Sequence, residues 1–232
     1  RFVGECVACV VGETPEAARD GAEAVGMEID PLPALIDPKA ALDANAPQLF
    51  EAGNLVLDHH LGDADAVAKA FADAAVVARL TLADQRLAVA PIEPRAALAD
   101  YDADAGRFTL RAPSQGVMGM RANLAQAMGV EKDRAHVLTG HVGGSFGMKI
   151  WVFPEYVCLL HAAQALGRPV GWTDDRSTSF VSDHHGRAMD FEAALALDAD
   201  GNFTALRLDT IADMGAYPSP VGPMMPAMVL PK

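Results

Sequence analysis

The chain has 232 residues, is about half hydrophobic (51%), and carries 31 acidic against 18 basic residues for a formal charge of -13. At ~100–200 residues per domain, that length holds one large domain or two smaller ones with a real core. The acidic balance, with no basic run, excludes a surface that tracks a phosphate backbone, so no nucleic-acid partner is expected. No apolar run nears the ~18 residues of a membrane span and no basic, cleavable leader opens the chain, so a cytoplasmic protein without a membrane span is expected.

Three cysteines are too few, and odd in number, for a disulfide framework. Cys6 and Cys9 spell C-x-x-C inside "ECVACVVGE", an apolar run that reads as a buried strand over residues 7–12. Side chains three apart on a strand point to opposite faces, which argues against a shared metal or redox bond. A helix follows in "TPEAARDGAEAVG", with Thr14 as N-cap, Pro15 at the first helical position and Gly26 as the stop. A second strand is predicted over residues 27–30, closed by the proline-rich "PLPALIDP". Periodicity is weak from 37 to 62, and a linker is placed at 46–62, between a first domain at 1–45 and a second at 63–232.

The second domain opens with a helix over 64–72 and a strand over 76–82. "PRAALADY" and "RFTLRA" read as strands joined by the turn "DADAG", "GMRANLAQAMG" as a helix ending on glycine, and "AHVLTG" as a strand. Beyond a glycine-rich loop come a buried helix, "EYVCLLHAAQALG", stopped by Gly167, and a strand in "RPVGWTDD". A long hairpin turns at "ADGN". Strands and helices mix without strict alternation, so the fold class is α+β. The chain opens at Arg1 and stops at "MVLPK", where no helix is predicted, and reads as a piece of something longer.

The loop "TGHVGGSFGMK" carries Gly143, Gly144 and Gly147 around Ser145 and Phe146. Glycines there let the backbone take positive φ and approach a ligand closely, and are equally compatible with a tight structural turn. The spacing G-G-x-x-G matches no dinucleotide fingerprint, and the Gly-Lys-Ser/Thr ending of a P-loop is missing. His59-His60 and His184-His185 lie outside the spacing of a closed zinc site and read as surface or hydrogen-bonded side chains. Ser114, Ser145 and Ser177 lack a G-x-S-x-G elbow and a plausible histidine partner, which argues against a hydrolase triad.

Four stretches in order, "QRLAVAPIEPRAALADYD", "RFTLRAPSQGVMGMRANLAQAMGV", "HVGGSFGMK" and "GRPVGWTDDRSTSF", resemble the molybdenum-binding large subunit of the xanthine dehydrogenase / aldehyde oxidase family, nearest its carbon monoxide dehydrogenase large-subunit-like branch. The resemblance implies that 1–45 is the C-terminal part of an α/β hammerhead domain and 63–232 the N-terminal part of the molybdopterin-binding domain. It implies a molybdenum-pterin cofactor, in the form of a molybdopterin cytosine dinucleotide, and oxidation or hydroxylation of a small molecule such as an aldehyde, an N-heterocycle or a carbon monoxide analogue. Iron–sulfur clusters and FAD would sit on a small and a medium partner subunit, in a dimer of heterotrimers.

On the same grounds Gln85 matches the glutamine that hydrogen-bonds a metal oxo ligand, and Gln115 matches a polar position near the cofactor. Gly143, Gly144, Ser145, Phe146 and Gly147 match the loop that approaches the metal end, with Ser145 standing where the family form G-G-G-F-G-x-K has glycine. Phe146 would bound the substrate pocket, or else anchor the loop as a core aromatic. Ile150 replaces the glutamate of purine-oxidising members, which speaks against xanthine. Glu93 is expected to be architectural, with no direct metal ligand here and the catalytic base in a part of the large subunit beyond this sequence. The segment alone is therefore expected to be incomplete for catalysis; a non-catalytic binding or assembly subunit derived from the family is the alternative.

Overall fold

A computed structural model describes residues 1–219 and 221–229. The chain divides into two compact units, each built from separated stretches: Arg1–Ile29 with Ala88–His185, and Asp30–Leu87 with Gly186–Lys232.

The first unit is organised by a four-stranded sheet of β2 (Ala96–Asp102), β3 (Arg107–Arg111), β4 (Ala135–Leu138) and β5 (Val170–Thr173), in the order β4-β3-β2-β5. β2 and β3 form the predicted antiparallel hairpin, and β5 pairs antiparallel with the other edge of β2. β4 lies parallel to β3, and this pairing needs a crossover; helix α3 (Val117–Met128) supplies it. Alternation decides which sheet face is covered: Ala97, Ala99, Phe108, Leu110, Ala135 and Val137 are buried, while Leu98 and Asp100 are exposed.

Onto that face pack Met120 and Leu124 of α3, and Tyr156, Leu159, Leu160 and Ala163 of α4 (Pro154–Leu166), at the spacing of one helical face. Burying each large aliphatic side chain of this core contributes about 1.5–3 kcal/mol. Both helices end on left-handed glycines, Gly129 (φ 65°) and Gly167 (φ 61°), as their sequences predict.

The N-terminal stretch departs from expectation. Helix α1 (Pro15–Glu23) is capped by the Thr14 hydroxyl, which accepts from Ala17 N–H at 3.2 Å, but its C-cap is Ala24, so it ends before Gly26. Residues 7–12 and 27–30 form no sheet ladder, and Cys6 and Cys9 are exposed rather than buried in a strand. An apolar run becomes a strand only when a neighbouring edge satisfies its backbone. Here Val7, Val10, Ala22, Val25 and Met27 gather instead around a shallow apolar groove. Partial desolvation, then the nearby Glu155 carboxylate, pushes the Cys6 thiol up to about 11, the opposite of what a reactive cysteine needs. Helix α5 (Arg176–Ser182) was not expected from the sequence.

The second unit contains α2 (Ala64–Ala72), with Asp63 as its N-cap, and the antiparallel sheet β1-β6-β7 of β1 (Val76–Asp84), β6 (Met189–Leu197) and β7 (Phe203–Ala212). Asp198 closes the predicted hairpin turn by accepting from the N–H groups of Asp200 and Asn202, both at 2.9 Å. Arg207 of β7 stacks over Phe71 of α2 at 5.3 Å. The register gathers Val76, Leu80 and Leu82 with Leu195, Leu197, Leu206 and Leu208 on the other sheet face, where Leu80 and Leu206 stay 57% and 61% exposed. A short helix, α6 (Met224–Val229), occupies a stretch where none was predicted, and the end of "MVLPK" lies outside the described residues. Among the described residues no helix is long and apolar enough to cross a membrane.

Candidate functional site

The glycine loop follows β4 in the first unit and is tied down at both flanks. On the N-terminal side, Gly143 N–H donates to Glu93 Oε2 at 2.9 Å, while Glu93 N–H donates to Gly143 O at 3.1 Å. Lys149 Nζ, fully buried, donates to both the backbone oxygen and Oε2 of Glu93 at 2.8 Å. Burial pushes the Glu93 carboxyl up, but hydrogen bonds from Lys149 and Gly143 and the lysine charge outweigh it and hold the pKa below the ordinary value. Gly143 has no room for a side chain, since a Cβ there would lie 2.6 Å from Glu93 Cβ.

On the C-terminal side, Gln115 Oε1 accepts from Gly147 N–H at 2.9 Å and from Ser145 Oγ at 2.6 Å. Ser145 Oγ in turn accepts from Lys149 N–H at 3.1 Å, within the 3₁₀ turn Met148–Ile150. The serine that departs from the family form is thus a bracing element of the loop.

Between these anchors the backbone is left open. Gly144 (φ 101°), Phe146 (φ 51°) and Gly147 (φ 92°) all have positive φ, and a positive φ is uncommon for a bulky side chain such as phenylalanine. Phe146 is 79% exposed, so the core-aromatic alternative does not hold. Among the described residues the N–H groups of Gly144, Ser145 and Phe146 meet no acceptor. The loop therefore presents three consecutive free donors beside an exposed aromatic ring, an arrangement suited to an anionic or oxygen-rich group.

Two residues after Glu93 lies a buried arginine that sequence reasoning passed over. Arg95 donates from Nε to Asp183 at 2.6 Å, and from Nη2 to Asp174 at 3.1 Å and Ser182 Oγ at 2.8 Å; its guanidinium lies 4.1 Å from the Phe153 ring centroid. Glu155 Oε1 is 3.0 Å from Nη1 but off the N–H direction, so that contact is electrostatic only. Arg176 reaches back from α5 to the backbone oxygens of Pro91 and Ile92, at 2.5 and 3.0 Å. Acidic residues at 174 and 183 among aromatics were the available signal, but their convergence on Arg95 spans 79 and 88 positions of sequence.

The remaining predicted residues are distributed as follows. Gln85 is exposed and follows β1 in the second unit, while Gln115 and the loop belong to the first. His60 pairs with Asp58 at 3.2 Å, and His185 Nε2 lies 2.9 Å from Phe180 O. Among the described residues no group of three or more His, Cys, Asp or Glu side chains could hold a metal ion.

Residues 49–232 match the family described as the molybdopterin cofactor-binding domain, and the chain belongs to that family. Its relatives narrow the reading. The carbon monoxide dehydrogenase large chain of Hydrogenophaga pseudoflava is 34% identical over 230 residues, covering 91% of this chain and 28% of that one. The nicotine 6-hydroxylase large subunit of Paenarthrobacter nicotinovorans is 31% identical over 220 residues, covering 95% of this chain and 27% of that one. Quinoline 2-oxidoreductase from Pseudomonas putida 86 matches in three dimensions with a TM-score of 0.85 and 34% identity, over 94% of this chain and 28% of that one. The α+β arrangement is thus that of a molybdenum hydroxylase large subunit, and the chain spans 27–28% of the length of these relatives.

Proposed function

We propose that this chain forms the part of a molybdenum-dependent oxidoreductase that holds the metal end of a molybdenum–pterin cofactor. The observation that carries the reading is the run of unpaired N–H groups at Gly144, Ser145 and Phe146, held open between the Glu93 and Gln115 anchors. Fixed backbone donors favour oxygen-rich, negatively polarised groups without reorganising, and a side chain at Gly143 would displace the strut that fixes them. When bound, such a cofactor supplies the two-electron oxidation or hydroxylation of a small substrate. The chain's own residues would do the rest: Gly144, Ser145 and Phe146 donate through their backbone, Gln115 donates through its amide, and the exposed Phe146 ring limits the space beside the metal.

The cofactor is proposed in its cytosine dinucleotide form, with iron–sulfur and FAD subunits as electron-transfer partners in a dimer of heterotrimers in the cytoplasm. Residues 1–45 are assigned to the end of a hammerhead domain, 46–62 to a linker and 63–232 to the start of the cofactor-binding domain. The large chains of carbon monoxide dehydrogenase and nicotine 6-hydroxylase among the relatives support an oxidised small molecule as substrate. The test is metal and pterin analysis of the full-length protein from a host that makes molybdenum cofactors. Stoichiometric molybdenum with a pterin dinucleotide is expected; a protein that carries neither refutes the reading.

A further inference from the structure

Gln115 has an amide that could present either its oxygen or its nitrogen to a ligand, and the choice determines what the ligand atom must be. Gly147 N–H can only donate, so the Gln115 atom 2.9 Å away is Oε1. Ser145 Oγ adds a second donor to the same oxygen at 2.6 Å, since an amide oxygen has no proton to give, and itself accepts Lys149 N–H at 3.1 Å. A flipped amide would set Nε2 against the Gly147 donor. Oε1 is thus saturated, while Nε2 meets no acceptor among the described residues and Gln115 is exposed.

We infer that Ser145 is a positioning residue that locks the Gln115 carboxamide with its nitrogen toward the ligand, so that this position accepts only a hydrogen-bond acceptor such as an oxo, carbonyl or phosphate oxygen. The inference rests on the cofactor reading for the identity of the ligand, and on this chain alone for the lock. With glycine at 145 the oxygen would keep a single donor and Lys149 N–H would lose its acceptor.

The experiment measures molybdenum and oxidised pterin retained by the full-length protein after gel filtration, for wild type, S145A, S145T, Q115A and S145A/Q115A, together with melting temperatures. S145A should retain about tenfold less cofactor, the size of one hydrogen bond, and S145T should restore it to within about twofold. In the Q115A background S145A should change retention by less than about twofold, although the loss of the Lys149 N–H acceptor lowers the melting temperature in both backgrounds. Full retention by S145A, full retention by Q115A, or an equal loss from S145A in both backgrounds overturns the proposal. If the wild type binds no pterin, the cofactor reading fails, and the lock is judged on crystal structures. There the Gln115 amide should keep Gly147 in the wild type and leave it in S145A; an unmoved amide in S145A overturns the lock.

Discussion

The strut between Glu93 and Lys149 should fail unequally from its two ends. Lys149 is 0% exposed and Glu93 37% exposed, so the lysine depends on the pair far more than the glutamate does. Glu93→Gln keeps the shape but removes the counter-charge, leaving a buried ammonium with only neutral oxygens to bond. Removing one partner of a buried pair costs ~3–5 kcal/mol, and the surviving backbone acceptor, Glu93 O at 2.8 Å, reduces this to about 2–3 kcal/mol. Lys149→Met removes the charge from the buried position and leaves a carboxylate that water can reach, with Gly143 N–H still bonded, for about 1 kcal/mol. At ~2–4 °C per kcal/mol for a chain of this size, E93Q should melt roughly 6 °C below wild type and K149M roughly 3 °C below. Denaturation followed by circular dichroism and tryptophan fluorescence measures both. If K149M is the more damaged variant, or both melt within about 1 °C of wild type, the strut does not carry the load assigned to it.

Acid should erase the difference between wild type and E93Q. The Glu93 pKa is lowered in the fold, so its contribution is complete above the unfolded carboxylate value of ~4.3 and is lost as pH falls through the folded value. The gap in melting temperature is therefore constant between about pH 5 and 8 and shrinks below about 4; a gap that grows in acid contradicts the sign. Arg95→Lys should destabilise by about 3 kcal/mol or more, because an ammonium cannot donate to Asp183, Asp174 and Ser182 in the planar fork while stacking on Phe153; a variant as stable as wild type in urea refutes the hub. Leu206→Lys on the open face of the β1-β6-β7 sheet should change stability by no more than about 0.5 kcal/mol and reduce self-association of the isolated chain in light scattering. Loss of folding in that variant would mean the face is closed in solution.

What the sequence made legible follows from how local each signal is. The helix caps at Thr14, Gly129 and Gly167, the "DADAG" and "ADGN" turns and the alternation of β2 and β3 depend on neighbours a few residues away, and each forms as its pattern predicts. Residues 7–12 have a strand's composition but no strand edge to pair with, and pairing is a property of the rest of the chain. The glycine loop was recognisable as a place of close backbone approach. Its two anchors were not, because Glu93 lies 50 positions from Gly143 and Gln115 lies 30 from Ser145. Nor did spacing tell that the Gly143 and Gly147 donors are already used, while those at 144–146 meet no acceptor among the described residues.

The same geometry bears on what Glu93 can do. A general base at neutral pH needs a pKa raised toward the operating pH and a lone pair free to take the proton. Glu93 lacks the first: its pKa is lowered, and its Oε2 receives both Gly143 N–H and the Lys149 ammonium. The buried Asp174 and Asp183 are bonded to Arg95, and the half-buried Glu155 is held beside it by charge. Glu93 thus braces the loop through Gly143 and Lys149, while the other three carboxylates surround Arg95. None of these four carboxylates is set up as a general base at neutral pH. Moving that role onto Glu93 would require removing Lys149, and with it the strut that shapes the loop.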